Sequence, residues 1–128
     1  MTPTGTTSLT GVMMGLAGTI TPVVSGKVHI SVCGDIAQNT ASDGANVQLR
    51  TGTGAAPTNG AALTGTTRGS LIKQNNVSAV VEKVPFCLIW TVTGLALGTA
   101  VWIDVGLAAT TGGTATIADV DIVADELL

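Results

Sequence analysis

Charged side chains are scarce in this sequence: Asp, Glu, Lys and Arg make up 10% of its 128 residues, whereas soluble domains carry about 25%. A monomer so poor in charge would expose a weakly polar surface and would tend to self-associate. The five Lys and Arg residues are scattered and the net charge is −3, which disfavours nucleic-acid binding. We therefore expect partner subunits to cover much of the surface.

Long apolar runs are also lacking. No stretch reaches the ~18 residues of a membrane-spanning helix, and the most apolar one, Val84–Val92, has the length of a strand. Residues 1–10 have neither the charged start nor the continuous apolar segment of a signal peptide. The sequence therefore predicts no membrane association.

Only two cysteines are present, too few for a disulfide scaffold. Cys33 and Cys87 each lie in an apolar, strand-like run, and we expect them to be buried, reduced thiols that behave as small hydrophobic residues. A disulfide would require their two strands to face each other, which the sequence leaves open.

Groups suited to catalysis are few. The single histidine, His29, lies on the polar face of a predicted strand, and Cys33 on the same face would be about 13 Å away, too far to share a metal ion. Asp119 and Asp121 would lie about 7 Å apart, as in some glycosidases, but aromatic residues make up only 2% of the chain. We interpret this pair as a charged strand edge that resists unwanted pairing. The sequence predicts no enzyme activity, no cofactor and no metal site.

Alternating apolar and polar residues predict strands. Val28, Ile30 and Val32 alternate with polar residues and indicate a strand over Lys27–Cys33 that Gly34 ends. A second well-patterned strand surrounds Val47 and Leu49. Further strands are predicted over Ser70–Gln74, Val77–Val84, Pro85–Thr93, Thr99–Ala108 and Thr114–Ala124, with one or two short strands within Gly11–Val24.

Two connections and one irregularity complete this pattern. Thr110–Gly113 is predicted to be a hairpin turn, and Thr51–Gly69 the longest loop. The alternation slips after Ile117, and one extra residue near Ala118 would restore it, so we predict a β-bulge there.

About eight strands, with a turn every ten or so residues, predict an all-β fold, an antiparallel β-sandwich of the jelly-roll kind. A single domain spanning 11–128 would follow an extended N-terminal arm, residues 1–10. The residues predicted to form the core are Val28, Ile30, Val32, Leu49, Phe86, Leu88, Trp90, Val92, Ile103 and Ile117.

The arm and the loop Thr51–Gly69 are the segments expected to lie across neighbouring subunits and to become ordered on assembly. The candidate interface residues in them are Thr2, Pro3, Thr4, Thr6, Thr7, Thr53, Pro57 and Asn59.

Four segments carry a resemblance to known proteins. Ser25–Gly34 and Asp43–Gly54 resemble the first half of a small phage virion module. Gly94–Val105 and Gly112–Ile122 are similar to the G-L-x-x-G-T-x-x-x-x-D-V … G-G-T-A-x-I/V ending of tumour-necrosis-factor-like and C1q-like jelly rolls. The likeness spans Gly11 to Leu127.

This resemblance implies a homo-oligomer, taken as a trimer, on the surface of a tailed bacteriophage. The implied protein is a capsid decoration, or cement, protein, made in the host cytoplasm and incorporated into the virion. It would bind the major capsid protein on the outside of the head and bridge neighbouring capsomers. The alternative is the tip domain of a head fibre or tail fibre, binding a host receptor or glycan.

Overall fold

The chain folds entirely into β-structure in the computed structural model, which describes residues 1–75 and 82–128. These residues form no helix, so none provides a helical membrane span. Residues 77–81 of the strand predicted over Val77–Val84 lie outside the described part. The strands are β1 (Val12–Met13), β2 (Gly18–Ile20), β3 (Val28–Gln38), β4 (Gly44–Thr53), β5 (Thr66–Asn75), β6 (Val84–Val92), β7 (Val101–Ala109) and β8 (Ala115–Glu126).

The strands form two antiparallel sheets. The larger sheet has the order β1-β7-β4-β5, with β2 also pairing with β7, and the smaller sheet has the order β6-β3-β8. Residues 1–6 extend the smaller sheet along β8: Thr6 pairs with Ala115, and Met1 and Val120 exchange backbone hydrogen bonds. The first segment thus pairs with the last strand, β1 and β2 with β7, β3 with β6, and β4 with β5. This nested pairing is that of a jelly roll, so the predicted antiparallel β-sandwich is confirmed.

The core lies between the two sheets, where alternate residues of each strand point inward. Val28, Ile30 and Val32 of β3 are fully buried, and so is Ile103 of β7. All the residues predicted for the core are buried except Trp90.

The assignment of Trp90 to the core is wrong. Trp90 has the same strand parity as the buried Leu88 and Val92, but 46% of its surface is exposed. It belongs to β6, which is an edge strand of the smaller sheet, and its indole lies over Gly69 of β5 at the rim of the sandwich. On the opposite side of β6, Ile89 is 56% exposed.

The predicted β-bulge is confirmed. Asp119 and Val120 of β8 together face one residue of β3, Gly34, and Asp119 has a φ of 52°. A Cβ at Gly34 would lie 2.8 Å from the Ala118 carbonyl oxygen, so the absence of a side chain lets β3 pass the bulge. Gly34 therefore lies inside β3 and does not end it, contrary to the prediction.

Residues 110–113 do not form a hairpin, because β7 and β8 belong to different sheets. The enclosed carboxylate of Asp43 fastens this crossing: it accepts hydrogen bonds from the N–H groups of Gly44, Thr111 and Gly113, each 2.7 Å long. Burial of this carboxyl favours a higher pKa, but the hydrogen bonds outweigh it and lower the pKa of Asp43 to about 2. Asp43 thereby links the β3–β4 connection to the β7–β8 connection, both of which cross between the sheets, at one end of the sandwich.

Cys33 and Cys87 lie opposite each other on β3 and β6 and form a disulfide, with Cα atoms 4.1 Å apart. The expectation of two reduced, buried thiols is therefore wrong: the two strands do face each other, and Cys87 is exposed on the outer face of the smaller sheet. The bridge links positions 54 residues apart. It ties the edge strand β6 to β3 and restricts the unfolded chain.

Candidate assembly surfaces

The segment predicted to be an N-terminal arm lies on its own domain. It runs antiparallel to β8, and Ala109 donates a further backbone hydrogen bond to Ser8. Among the candidate interface residues, Thr2, Thr4 and Thr7 are exposed, while Pro3 and Thr6 are half-buried. The arm therefore completes the fold and also presents threonines at its surface.

The structure brings the arm and the long loop together at two of the candidate interface residues. The Thr4 N–H donates to Asn59 Oδ1 over 2.9 Å, and Asn59 Nδ2 donates to the Thr4 carbonyl over 3.2 Å. Pro57 is half-buried in the same loop. Thr53 lies apart from this group. It pairs with Val101, the first residue of β7, whereas Thr6 pairs with Ala115, which follows the last residue of β7.

The loop itself is shorter than predicted and covers part of the larger sheet. It spans residues 54–65, since the flanking residues belong to β4 and β5. Beneath it lies Trp102, which points away from the core but is only 5% exposed. Its indole lies against Gly52 and Gly65, where any Cβ would overlap the ring. The loop therefore forms a small second apolar layer outside the larger sheet.

Asp104 is fully buried at the interruption between β1 and β2. It accepts hydrogen bonds from the N–H groups of Gly15, Leu16 and Val105, over 2.9, 3.0 and 2.7 Å. Burial raises the pKa of the Asp104 carboxyl, and the three N–H groups oppose that shift. The Asp104 carboxylate thus replaces the backbone acceptors that a continuous strand would provide between β1 and β2.

The outer face of the smaller sheet is acidic. Strands β3, β6 and β8 contain five carboxylates and no Lys or Arg. Near its centre Ile89 and Val123 flank Ser31, and both are more than half exposed. We call this surface the acidic face. Its carboxylates are Asp35, Asp119, Asp121 and Asp125; Glu126, at the end of β8, pairs with the buried Val28 and so lies on the other side of the strand.

The outer face of the larger sheet has the opposite charge. Its strands contain Arg50, Arg68 and Lys73, and their one acidic residue is the buried Asp104. Arg50 and Lys73 lie on the outer side, where we call the surface the basic face, while Arg68 turns toward the rim and donates to Thr51.

A hollow of about 220 Å³ lies on the basic face. Leu9, Leu63 and Leu71 line it, and all three are exposed. Arg50 also lines it: one terminal nitrogen donates to the Thr64 carbonyl over 3.0 Å, while its Nε is buried with no hydrogen-bond partner. The hollow thus combines apolar walls with a cationic side chain.

Glu126, at the end of β8, is held by a loop of backbone donors. Its carboxylate accepts the N–H groups of Val23, Val24, Ser25 and Gly26 over 2.7–2.9 Å. The bond from Val23, helped by the other three, outweighs partial burial and lowers the pKa of Glu126 from 4.5 to about 2. The contact fastens the connection between β2 and β3 to the last strand.

Glu126→Gln is expected to reduce the acid sensitivity of folding. Because the folded-state pKa of Glu126 lies below its unfolded value, this carboxylate stabilises the protein above pH 4.5, and its contribution disappears as the pH falls to about 2. The variant should therefore be less stable than the wild type at neutral pH, and the two should converge near pH 2. Thermal unfolding followed across this range measures the difference.

Asp121→Asn is the matched control, since it removes an exposed carboxylate from the same strand without touching this loop. Parallel stability curves for the wild type and Glu126→Gln would contradict the role given to Glu126. Some acid sensitivity should remain in Glu126→Gln, because Asp43 titrates in the same direction.

Chemistry-bearing side chains do not cluster in the described residues. His29 Nδ1 lies 3.2 Å from the Thr91 hydroxyl, and no group of three His, Cys, Asp or Glu residues within 1–75 and 82–128 could hold a metal ion. The features that stand out are the acidic and basic faces. Comparisons with protein-family models, with curated proteins and with solved structures find no match to this chain.

Proposed function

We propose that this chain is a structural subunit of a bacteriophage particle, a capsid decoration protein. In this proposal it binds the major capsid protein on the outside of the head and bridges neighbouring capsomers. It is made in the host cytoplasm and acts on the virion surface by binding alone, with neither a catalytic step nor a cofactor.

The observation that carries this proposal is the exposure of large apolar side chains on both outer faces of the sandwich. Ile89 and Val123 are 56% and 54% exposed on one face, and Leu71 is 43% exposed on the other. Exposed apolar side chains that share one face support the idea of a surface that partners cover. Two such faces on one small domain suit a subunit that contacts neighbours on opposite sides.

The jelly-roll fold and the low charge also support a lattice role. Many weak contacts repeated over a shell add up to strong attachment, because each contact makes the next one effectively intramolecular. A domain with 10% charged residues loses little charge hydration when it is covered. Homo-oligomerisation would multiply the contacts of each attached unit.

The test is binding to heads of a tailed phage whose genome carries this sequence, prepared without the protein. Purified wild-type chain is added at increasing concentration, the shells are sedimented, and electron cryomicroscopy locates the added density. We expect saturable binding at positions that repeat with the lattice. Bare shells would overturn the proposal, and density on the tail fibres would favour the fibre-tip alternative instead.

A further inference from the structure

We infer that the acidic face of one copy binds the basic face of the next, so that the chain associates head to tail. This inference deepens the proposed function, on which it rests for the idea of a covered surface, by naming a second copy of the chain as one partner. The contact is heterologous, with two different surfaces of the same protein meeting each other.

The first observation is the segregation of charge between the sheets. Four carboxylates lie on the outer side of the smaller sheet, and the two exposed lysines next to its strands, Lys27 and Lys83, precede β3 and β6. Arg50 and Lys73 share the outer side of the larger sheet with no exposed carboxylate from its strands. The two faces are on opposite sides of one sandwich. A single copy therefore cannot satisfy this complementarity, but two successive copies can.

The second observation is the match of apolar groups. Ile89 and Val123 project from the middle of the acidic face, on either side of Ser31. The basic face has a hollow walled by Leu63 and Leu71. A side chain the size of isoleucine or valine, entering the hollow, would bury apolar surface on both partners.

The third observation is the guanidinium of Arg50, a residue that lines the hollow. The hydrogen bond from its terminal nitrogen to the Thr64 carbonyl lies at the exposed surface, where a carboxylate of the next copy can approach. Asp121 and Asp125 lie on the same side of β8 as Val123, one position to either side of it along that face. When Val123 enters the hollow, a neighbouring carboxylate is placed to accept from the guanidinium, and such charge-assisted bonds are the strong ones.

The same charges argue against symmetric pairing of like faces. Two acidic faces brought together would oppose their carboxylates, and two basic faces would oppose Arg50 to Lys73 or to itself. Such juxtaposition of like charges is unfavourable. Only unlike faces combine attraction with apolar burial, so each added copy leaves one acidic and one basic face free for further growth.

The experiment uses two variants that each block one face. Val123→Lys places a cation at the centre of the acidic face, and Leu71→Asp places a carboxylate at the hollow of the basic face, so each introduces repulsion into the contact; both positions are exposed, so the fold should survive. Leu97→Lys is the matched control, because Leu97 is 54% exposed on the connection between β6 and β7, outside both faces. Circular dichroism and melting temperature verify folding.

Sedimentation velocity should show the wild type and Leu97→Lys growing in size with concentration. Each face variant alone should associate at least about tenfold more weakly. An equimolar mixture of Val123→Lys and Leu71→Asp should form dimers that do not grow, because Val123→Lys keeps its basic face and Leu71→Asp keeps its acidic face. High salt should weaken all of these associations.

A monomeric wild type, a loss of association in only one of the two variants, or a mixture that stays monomeric would each overturn the head-to-tail contact. The outcome is separable from the proposed function. A monomer that decorates phage heads would refute this inference and leave the function standing, whereas self-association of a chain that leaves heads bare would refute the function and leave this inference standing.

Discussion

Trp102→Ala is expected to lower the free energy of unfolding by about 3–5 kcal/mol, the usual cost of truncating a buried tryptophan. Trp102 points away from the main core, but it is only 5% exposed because the loop 54–65 covers it. Its ring fills the space between Gly52 and Gly65, and neither glycine can extend a side chain into the gap. Urea denaturation, followed by circular dichroism, measures the loss.

Trp90→Ala is the matched control, since it removes the same side chain from a site that is 46% exposed. Its effect should be clearly smaller than that of Trp102→Ala, because much of the Trp90 ring is already in water. Equal losses at the two positions, or a larger loss at Trp90, would contradict this account of which tryptophan the fold depends on.

The two tryptophans show that strand alternation predicts which side of a strand a residue is on but not whether that side is covered. Alternation assigns Trp90 correctly to the inward side of β6, but it does not reveal that β6 is an edge strand or that Trp90 lies at the rim. Alternation also assigns Trp102 correctly to the outer side of β7. The outer side of β7 is covered by the loop 54–65, which is separated from β7 in the sequence by β5 and β6. Alternation within β7 therefore does not reveal that Trp102 is covered.

Features that depend on a strand and its immediate neighbours were predictable. The alternation of Val28, Ile30 and Val32 located β3, and the slip of alternation after Ile117 located the bulge at Asp119. Both signals arise because successive side chains of a strand point to opposite faces. They need no knowledge of which strands pair.

The end of β3 was not predictable in the same way. Gly34 is a common strand terminator, but here it lies opposite the bulge, where any side chain would meet β8. The N-terminal arm is similar: its Thr, Pro and Gly residues show no alternation, yet the arm bonds to β8 at Thr6 and at Met1. Pairing between distant segments decides both cases.

The acidic and basic faces also required the structure. Along the chain, Asp35 is far from Asp121, and Arg50 is separated from Lys73 by a loop. Charge becomes segregated only when the chain is divided between two sheets, because crossings between the sheets distribute neighbouring strands to opposite sides. The sequence indicated a surface to be covered, and the topology indicates which faces complement each other.

Asp104→Ala is expected to destabilise the protein by about 2–6 kcal/mol. The substitution leaves the N–H groups of Gly15 and Leu16 without their acceptor, and each buried donor left unsatisfied costs about 1–3 kcal/mol. Neither strand can supply a replacement, because β1 and β2 are interrupted at these residues. The free energy of unfolding in urea measures the loss, and hydrogen exchange at Gly15 and Leu16 should accelerate.

Asp104→Asn separates the hydrogen bonds from the charge. An amide oxygen at the Oδ1 position keeps the bonds from Leu16 and Val105, while the bond from Gly15 is lost, so this variant should fall between the wild type and Asp104→Ala. Because burial raises the folded-state pKa of Asp104 above 3.8, ionisation weakens the wild type as the pH rises. The stability difference between the wild type and Asp104→Asn should therefore narrow from acid toward neutral pH. A widening difference would mean that the carboxylate, once ionised, is stabilised by its three backbone donors more than burial disfavours it.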